Sequence, residues 1–203
     1  MKLYDGAMAP NPRRVRIFLA EKGIIIPVVP VDMGVLEHQG AVFTSLNPFQ
    51  LLPVLELDDG TIISESVAIC RYFEEIQPEP PLFGVGPVGK AQVEMWNRII
   101  ELELYRHVAN AFRHSHPRMA GREVPQIAEL AATAPQKAIA TMEKLDSVLQ
   151  DRPYIAGDDY SIADITGQVT LGFLKLARME IPEGLKALRR WNDALNARPS
   201  AAA

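Results

Sequence analysis

Two short stretches combine residue types that suit anion binding at the start of a helix. The stretch MAPNPRRVRIF places Asn11 between Pro10 and Pro12, and it contains no Ser, Thr, Tyr or Cys. The stretch SES at 64–66 lies between a predicted strand and a predicted helix. A helix N-terminus carries free N–H groups and the positive end of the helix dipole, so it favours a bound anion. The question at both positions is whether the residues bind an anion or only start a helix, and we expect Asn11 as an N-cap with Pro12 at the first helical position.

The same residues also have purely structural interpretations. Ser64 suits an N-cap, and Glu65 suits a first-turn acid that complements the helix dipole. The cations Arg13, Arg14 and Arg16 oppose that dipole near the start of their helix, so helix stability does not explain them. They raise the local potential around a bound anion, pair with acids across a subunit interface, or lie on a solvated face.

The composition excludes several classes of protein. Hydrophobic residues make up 48% of the 203, enough for a real core, and the net charge of -4 gives no broad electrostatic basis for binding nucleic acid or an anionic membrane. Cys70 is the single cysteine, which excludes a disulfide within the chain and fits a reducing cytosol. We expect Cys70 to be a small buried side chain. No apolar run approaches the roughly 20 residues of a membrane span, and the first ten residues lack the apolar region of a signal peptide.

The first 77 residues alternate predicted strands with predicted helices. Strands are expected at 2–4, 26–31, 53–57 and 61–63, and helices at 11–22 and from Ser64 to about Ile76. The sequence Asp58-Asp59-Gly60 predicts a hairpin turn between the last two strands. This order of elements indicates one parallel crossover followed by a terminal hairpin.

A segment rich in proline and glycine at 78–87 reads as a linker, and only helical patterns follow it. Helices are predicted at 88–112, at 127–149, from Ser161 and from about 184, so that residues 88–203 form an all-helical domain. Ser161 and Asp164 have the spacing of a capping box, with Tyr160 as a hydrophobic staple. The three terminal alanines are expected to be frayed.

Three stretches in this order resemble those of the cytosolic glutathione transferases: APNPRRVRIFLAEKG, then NPFQLLPVLELDDG with TIISESVAICRYFEE, then YIAGDDYSIADI. The resemblance covers almost the whole chain and is nearest to bacterial members and the theta-, zeta- and nu-type branches. It implies an α/β thioredoxin-like N-terminal domain that binds glutathione and an all-α C-terminal domain that shapes the electrophile pocket. It also implies a cytoplasmic homodimer that joins glutathione, its co-substrate, to a small hydrophobic electrophile without a metal.

The resemblance implies roles for residues around the strand that follows Pro53. In the family this proline is cis, and the backbone of Leu52 pairs with the cysteinyl part of glutathione like an added strand. Ser66 would take the γ-glutamyl carboxylate through its N–H and hydroxyl, and Glu65 would take the ammonium group. The structural alternative is an ordinary proline at the first residue of a strand.

Further roles follow from matched positions. His38 and Gln50 match residues that in some relatives bind the glycyl carboxylate or the backbone of glutathione. His38 is equally compatible with a plain histidine in a surface loop. If the family fold holds, Tyr105 and Phe112 line the electrophile pocket. The histidines at 107, 114 and 116 lack the spacing and the additional ligand that a metal site needs.

The catalytic position departs from the family pattern. A free thiol has a pKa of about 8.5, so the enzyme has to favour the thiolate. Relatives carry a hydroxyl where this chain has Ala9, whereas Asn11 matches an asparagine that binds sulfur in nu-type relatives beside a Thr or Ser. Tyr4 is the nearest phenol, but it matches the tyrosine-type branches poorly. We therefore expect the Asn11 side-chain N–H and the helix N-terminus to hold the thiolate.

Two rival functions remain open from the sequence. The nu-type resemblance allows a glutathione-dependent disulfide reductase or peroxidase. Ala9 favours a non-catalytic glutathione-binding regulator that kept the fold, in which the thiol pKa of bound glutathione would stay at about 8.5.

Overall fold

A four-stranded mixed sheet organises the N-terminal part of the computed structural model, which describes all 203 residues. Its strands are β1 (Lys2–Asp5), β2 (Val28–Pro30), β3 (Val54–Glu56) and β4 (Ile62–Ser64). The spatial order is β2-β1-β3-β4, with β1 parallel to β2, β1 antiparallel to β3, and β3 antiparallel to β4. The predicted parallel crossover and terminal hairpin are confirmed. β2 lies at an edge, where its proline does not interrupt the ladder.

Three helices belong with this sheet: α1 (Pro10–Glu21), α2 (Ala41–Leu46) and α3 (Ser66–Ile76). Successive residues of a strand point to opposite faces, so the fully buried Leu3 and its partner Leu55 share one face. Tyr4 and Val54 share the other face, where Phe43 of α2 packs edge-on against the Tyr4 ring at 6.2 Å between centroids. α2 was not predicted.

The end of α1 is held by a buried lysine. The Lys22 side chain has no exposed surface, and its Nζ lies 2.7 Å from the carbonyl oxygens of Gln77 and Pro80 and 2.6 Å from a carboxylate oxygen of Glu74. Gly23 follows with φ of +64° and ends the helix, as predicted. One ammonium therefore joins the end of α1 to the segment after α3.

The chain divides into two units, and its last residues belong to the first. Residues Met1–Leu82 and Ser200–Ala203 form the N-terminal unit, and Phe83–Pro199 form the helical unit. Arg13 donates a hydrogen bond of 3.0 Å to the carbonyl of Ala201, and the Ser200 hydroxyl donates to Glu21. The expectation that the terminal alanines are frayed is wrong, because these bonds attach the segment to α1.

The helical unit contains the four predicted helical stretches. They are α4 (Gly86–Ile99), which continues through a π-helical segment (Ile100–Tyr105) into α5 (Arg106–Ser115), then α6 (Ala128–Val148), α7 (Ile162–Phe173) and α8 (Lys186–Asn196). No helix is long and apolar enough to cross a membrane.

The start of α7 carries the predicted capping box, which is confirmed. The N–H and hydroxyl of Ser161 both donate to one carboxylate oxygen of Asp164 at 2.9 Å. The other oxygen accepts from the N–H of Ile155 and from Nε1 of Trp191, also at 2.9 Å. Asp164 is fully buried; burial raises the pKa of its carboxyl, while the four hydrogen bonds act in the opposite direction.

Candidate active site

α1 begins at Pro10, with Ala9 at the N-cap and Asn11 at the second helical position. The prediction of Asn11 as the N-cap is wrong, because the fixed φ of Pro10 suits the first helical position and the Ala9 carbonyl accepts from the N–H of Arg13 at 3.2 Å. Pro10 and Pro12 have no peptide N–H. Asn11 therefore supplies the only peptide N–H among the first three residues of the helix.

A buried guanidinium connects this first turn to the start of α3. Nη1 of Arg14 lies 3.2 Å from Oδ1 of Asn11 and 2.6 Å from Oγ of Ser66. Arg14 is only 1% exposed, so the interpretation as a solvated face is wrong for this residue. Since the carboxamide oxygen of Asn11 accepts from Arg14, its Nδ2 group remains as the outward donor.

The other two arginines of α1 bind groups of their own chain. Arg16 donates to the Asp5 carboxylate at 2.6 Å and to the carbonyl of Ala7 at 3.0 Å. Arg13 donates to the C-terminal segment, as described above. Each of the three cations on α1 therefore has a distinct role within the N-terminal unit.

No hydroxyl group from position 9 or from Tyr4 donates to the first turn of α1. Ala9 has no side-chain donor. The hydroxyl of Tyr4 donates to a carboxylate oxygen of Glu56 on β3 at 2.7 Å, and Lys2 lies 3.2 Å from the same carboxylate. The phenol proton is thus used within the sheet, and Asn11 is the uncharged polar side chain at the start of α1.

The loop before β3 is shaped by an asparagine that the sequence analysis missed. Asn47 is 3% exposed; its Nδ2 donates to the carbonyl of Leu51 at 2.9 Å, and its Oδ1 accepts from the N–H of Phe49 at 3.1 Å. Asn-Pro is a turn-forming pair, and this signal could have identified the residue. The loop leads to the Leu52–Pro53 peptide bond, which is cis as predicted.

Gln50 and His38 occupy defined positions near this loop. Gln50 has φ of +56°; its N–H donates to the carbonyl of Asn47 at 2.9 Å, and its Nε2 donates to Oγ1 of Thr44 at 3.1 Å. His38 lies in a 3-10 turn (Glu37–Gln39) and is only 2% exposed. The alternative of a plain surface-loop histidine is therefore wrong.

The turn between β4 and α3 exposes Glu65 and buries Ser66. Glu65 has φ of +68° and ψ of +117° and stands at the N-cap without a side-chain capping bond. The prediction of Ser64 as the N-cap is wrong, because Ser64 ends β4 and the chain turns at Glu65. A non-glycine residue in such a conformation is rare and marks a position fixed by its surroundings. Glu65 is exposed, whereas Ser66 is 4% exposed.

In the helical unit, Tyr105 ends the π-helical segment and Phe112 lies in α5, seven residues later. The Phe112 ring packs against Phe173 at 5.1 Å and against His116 at 4.9 Å between ring centroids. Nδ1 of His116 and Nδ1 of His114 each accept a peptide N–H at 3.2 Å, so both histidines have structural partners.

Comparisons with known proteins match both units. The family description "Glutathione S-transferase, N-terminal domain" matches residues 9–76, and "Glutathione S-transferase, C-terminal domain" matches residues 110–199. Glutathione S-transferase 2 of Saccharomyces cerevisiae is 39% identical over 203 residues, which cover 98% of this chain and 87% of that protein.

Solved structures of relatives have the same fold as this chain. The crystal structure of Gtt2 from Saccharomyces cerevisiae has a TM-score of 0.95 at 38% identity and covers 100% of this chain and 99% of its own. A glutathione S-transferase domain-containing protein of Marinobacter aquaeolei VT8 has a TM-score of 0.94 at 38% identity, covering 98% and 99%. The chain belongs to the glutathione S-transferase family. The predicted fold class and the predicted transferase function are confirmed by these relatives.

Proposed function

We propose that the chain joins glutathione to a small hydrophobic electrophile, with the Asn11 carboxamide holding the thiolate. The observation that supports this is the orientation of Asn11: its Oδ1 accepts from Arg14, so Nδ2 is the group left to donate. The peptide N–H of Asn11 adds a second donor at the positive end of α1. Donors of this kind favour the thiolate over the thiol and lower the thiol pKa below about 8.5.

The remainder of glutathione is assigned to groups of the same unit. The Leu52 backbone pairs with the cysteinyl part, and Ser66 with the first turn of α3 takes the γ-glutamyl carboxylate. The exposed carboxylate of Glu65 takes the ammonium group. His38 and Gln50 bind the glycyl end. The buried Ser66 hydroxyl, fixed at 2.6 Å from Arg14, and the exposed Glu65 beside it support this division of roles.

Asn11 is tested by the ultraviolet absorbance of the glutathione thiolate, titrated against pH in the complex. We expect a thiol pKa about 1–2 units higher in Asn11→Ala than in the wild type, because a hydrogen bond to a charged group is lost. Asn192→Ala, on α8, is the matched control and should leave the titration unchanged. An unchanged titration in Asn11→Ala would exclude the role of Asn11, and a wild-type thiol pKa of about 8.5 would favour the non-catalytic regulator.

The electrophile is assigned to the aromatic side chains of the helical unit, Tyr105 and Phe112. Parallel assays with an aryl halide and with a disulfide substrate separate conjugation from disulfide reduction. Aryl-halide turnover that falls in Phe112→Ala while glutathione affinity is unchanged would support the assignment. Turnover of the disulfide alone would favour the reductase.

We further propose that the protein acts as a homodimer in the cytoplasm. Phe49 is 78% exposed and Leu51 is 49% exposed on the loop before β3, so this loop presents two neighbouring apolar side chains that a subunit contact would bury. Light scattering should give a dimeric mass, and Phe49→Ser should shift the protein towards monomer on dilution. A monomeric wild type would contradict the homodimer.

A further inference from the structure

We propose that Arg14 is a positioning residue that couples the thiol end of bound glutathione to its γ-glutamyl end. The inference rests on the proposed function, because it uses Asn11 and Ser66 as ligands of those two ends. Arg14 is buried and donates to Asn11 and to Ser66, so we assign its effect on the ligand to these two neighbours. A single atom, Nη1, reaches both Asn11 Oδ1 at 3.2 Å and Ser66 Oγ at 2.6 Å.

The first effect of Arg14 is to select the orientation of the Asn11 carboxamide. A carboxamide has one end that accepts and one end that donates, whereas a guanidinium only donates. The end of Asn11 that faces Arg14 is therefore the oxygen, and the nitrogen faces away. Without this contact the amide is free to turn over and present its oxygen to the thiolate, which that oxygen would repel.

The second effect is on the Ser66 hydroxyl, which carries a single hydrogen. Its oxygen accepts from Arg14 at 2.6 Å, the short distance of a charge-assisted hydrogen bond. The hydrogen of the hydroxyl is then directed away from Arg14, towards a group that accepts. The same cation thus makes Asn11 a donor for the thiolate and Ser66 a donor for the carboxylate.

Arg14 also contributes a positive charge, so a test has to separate charge from orientation. Lysine keeps the charge, but its shorter side chain and freely rotating ammonium do not reproduce the rigid planar Nη1 group that holds the two acceptors in a fixed geometry. Arg14→Lys therefore removes the positioning and retains most of the electrostatic attraction. Arg13→Lys is the matched control, because it makes the same exchange on the neighbouring residue of α1, which bonds the carbonyl of Ala201.

The experiment measures the thiol pKa of bound glutathione by ultraviolet titration and the dissociation constant by calorimetry, with melting curves for every variant. We expect Arg14→Lys to raise the thiol pKa by about one unit, which is a tenfold lower acid dissociation constant of the thiol, and to weaken glutathione binding about tenfold. Arg13→Lys should change neither. In an Asn11→Ala background the effect of Arg14→Lys on the thiol pKa should vanish, while its effect on affinity through Ser66 persists.

Ser66→Ala gives a second test that keeps Arg14 in place. Because one guanidinium serves both ends, we expect loss of the Ser66 hydroxyl to loosen Arg14 and to raise the thiol pKa as well as weaken binding. If Ser66 acts only on the γ-glutamyl carboxylate, Ser66→Ala will leave the thiol pKa unchanged. That result would overturn the coupling even where Arg14→Lys does not fold.

The remaining outcomes distinguish this inference from the proposed function. A folded Arg14→Lys with wild-type pKa and affinity would overturn the inference alone. Equal pKa shifts with and without Asn11 would also overturn it, since Arg14 would then act by its charge. A wild type that binds no glutathione would overturn both.

Discussion

Nε1 of Trp191 lies 2.9 Å from Oδ1 of Asp164, so that α8 is hydrogen-bonded to the capping residue of α7. The same carboxylate serves the peptide N–H groups of Ile155 and Ser161 and the hydroxyl of Ser161. One side chain thus satisfies four donors contributed by three separate segments. A residue recognised in the sequence as a local capping element therefore also joins α7 to α8 and to the segment at Ile155.

Asp164→Ala should destabilise the helical unit without altering the glutathione site. Removing the carboxylate leaves buried donors unsatisfied at about 1–3 kcal/mol each, so we expect a loss of roughly 3 kcal/mol or more. Urea unfolding measures this loss, and calorimetry should give a nearly unchanged glutathione affinity. Asp193→Ala, at an exposed position of α8, is the matched control. Native melting behaviour in Asp164→Ala would contradict the prediction.

Gly167→Ala should destabilise the same unit for a steric reason. A Cβ atom at Gly167 would lie 2.1 Å from Cη2 of Trp191, and the ring is fully enclosed in the core. Overpacking of this kind costs about 1–3 kcal/mol or more. Gly184→Ala is the control, because a Cβ there meets no atom within 4 Å. Equal melting temperatures for the two variants would show that the contact is not restrictive.

Lys22→Met should destabilise the N-terminal unit. The substitution keeps an unbranched side chain as far as Cε but removes the ammonium, which leaves the Glu74 carboxylate and the carbonyls of Gln77 and Pro80 without their shared donor. Breaking a buried ion pair on one side costs about 3–5 kcal/mol. Chemical unfolding of Lys22→Met beside Lys90→Met, at an exposed position, measures the difference. A loss no larger than that of the control would mean that the buried ammonium contributes nothing net.

Cys70 should be inert towards thiol reagents in the native protein. Its side chain is fully buried, and burial raises the pKa of the thiol far above its ordinary value, so the reactive thiolate is absent across the usual pH range. A disulfide reagent should therefore detect no thiol until denaturant is added and one thiol per chain afterwards. Rapid reaction of native protein would disprove the prediction. The result also bears on the glutathione titration, because an inert Cys70 adds no thiolate absorbance of its own.

The features predicted correctly from the sequence depend on neighbours along the chain. The capping box joins Ser161 to Asp164 three residues away, and Gly23 ends α1 because the residue itself tolerates positive φ. The hairpin at Asp58-Asp59-Gly60 is local in the same sense. In each case the interacting groups lie within one turn of chain, so residue type and spacing were sufficient.

The features that were missed depend on partners far along the chain. The burial of Arg14 depends on its acceptor Ser66, which lies 52 residues away along the chain. The burial of Lys22 depends on carbonyl acceptors that lie 55 or more residues away. Nothing in the composition of α1 reveals those acceptors. The starts of α1 and α3 differ from the predicted residues for two reasons. Pro10 and Pro12 both suit the first position of α1, and the residue type of Glu65 does not indicate the positive φ at which the chain turns into α3.

The proline that follows Asn11 has a consequence for the lifetime of the protein. Asparagine ages by deamidation, in which the peptide nitrogen of the next residue attacks the side-chain carbonyl and forms a cyclic imide. Pro12 has no N–H, and its ring nitrogen cannot complete that cyclisation. Conversion of Asn11 to aspartate would place a carboxylate where the proposed thiolate binds. The Asn11–Pro12 bond therefore protects the carboxamide of this site from the commonest spontaneous damage to asparagine.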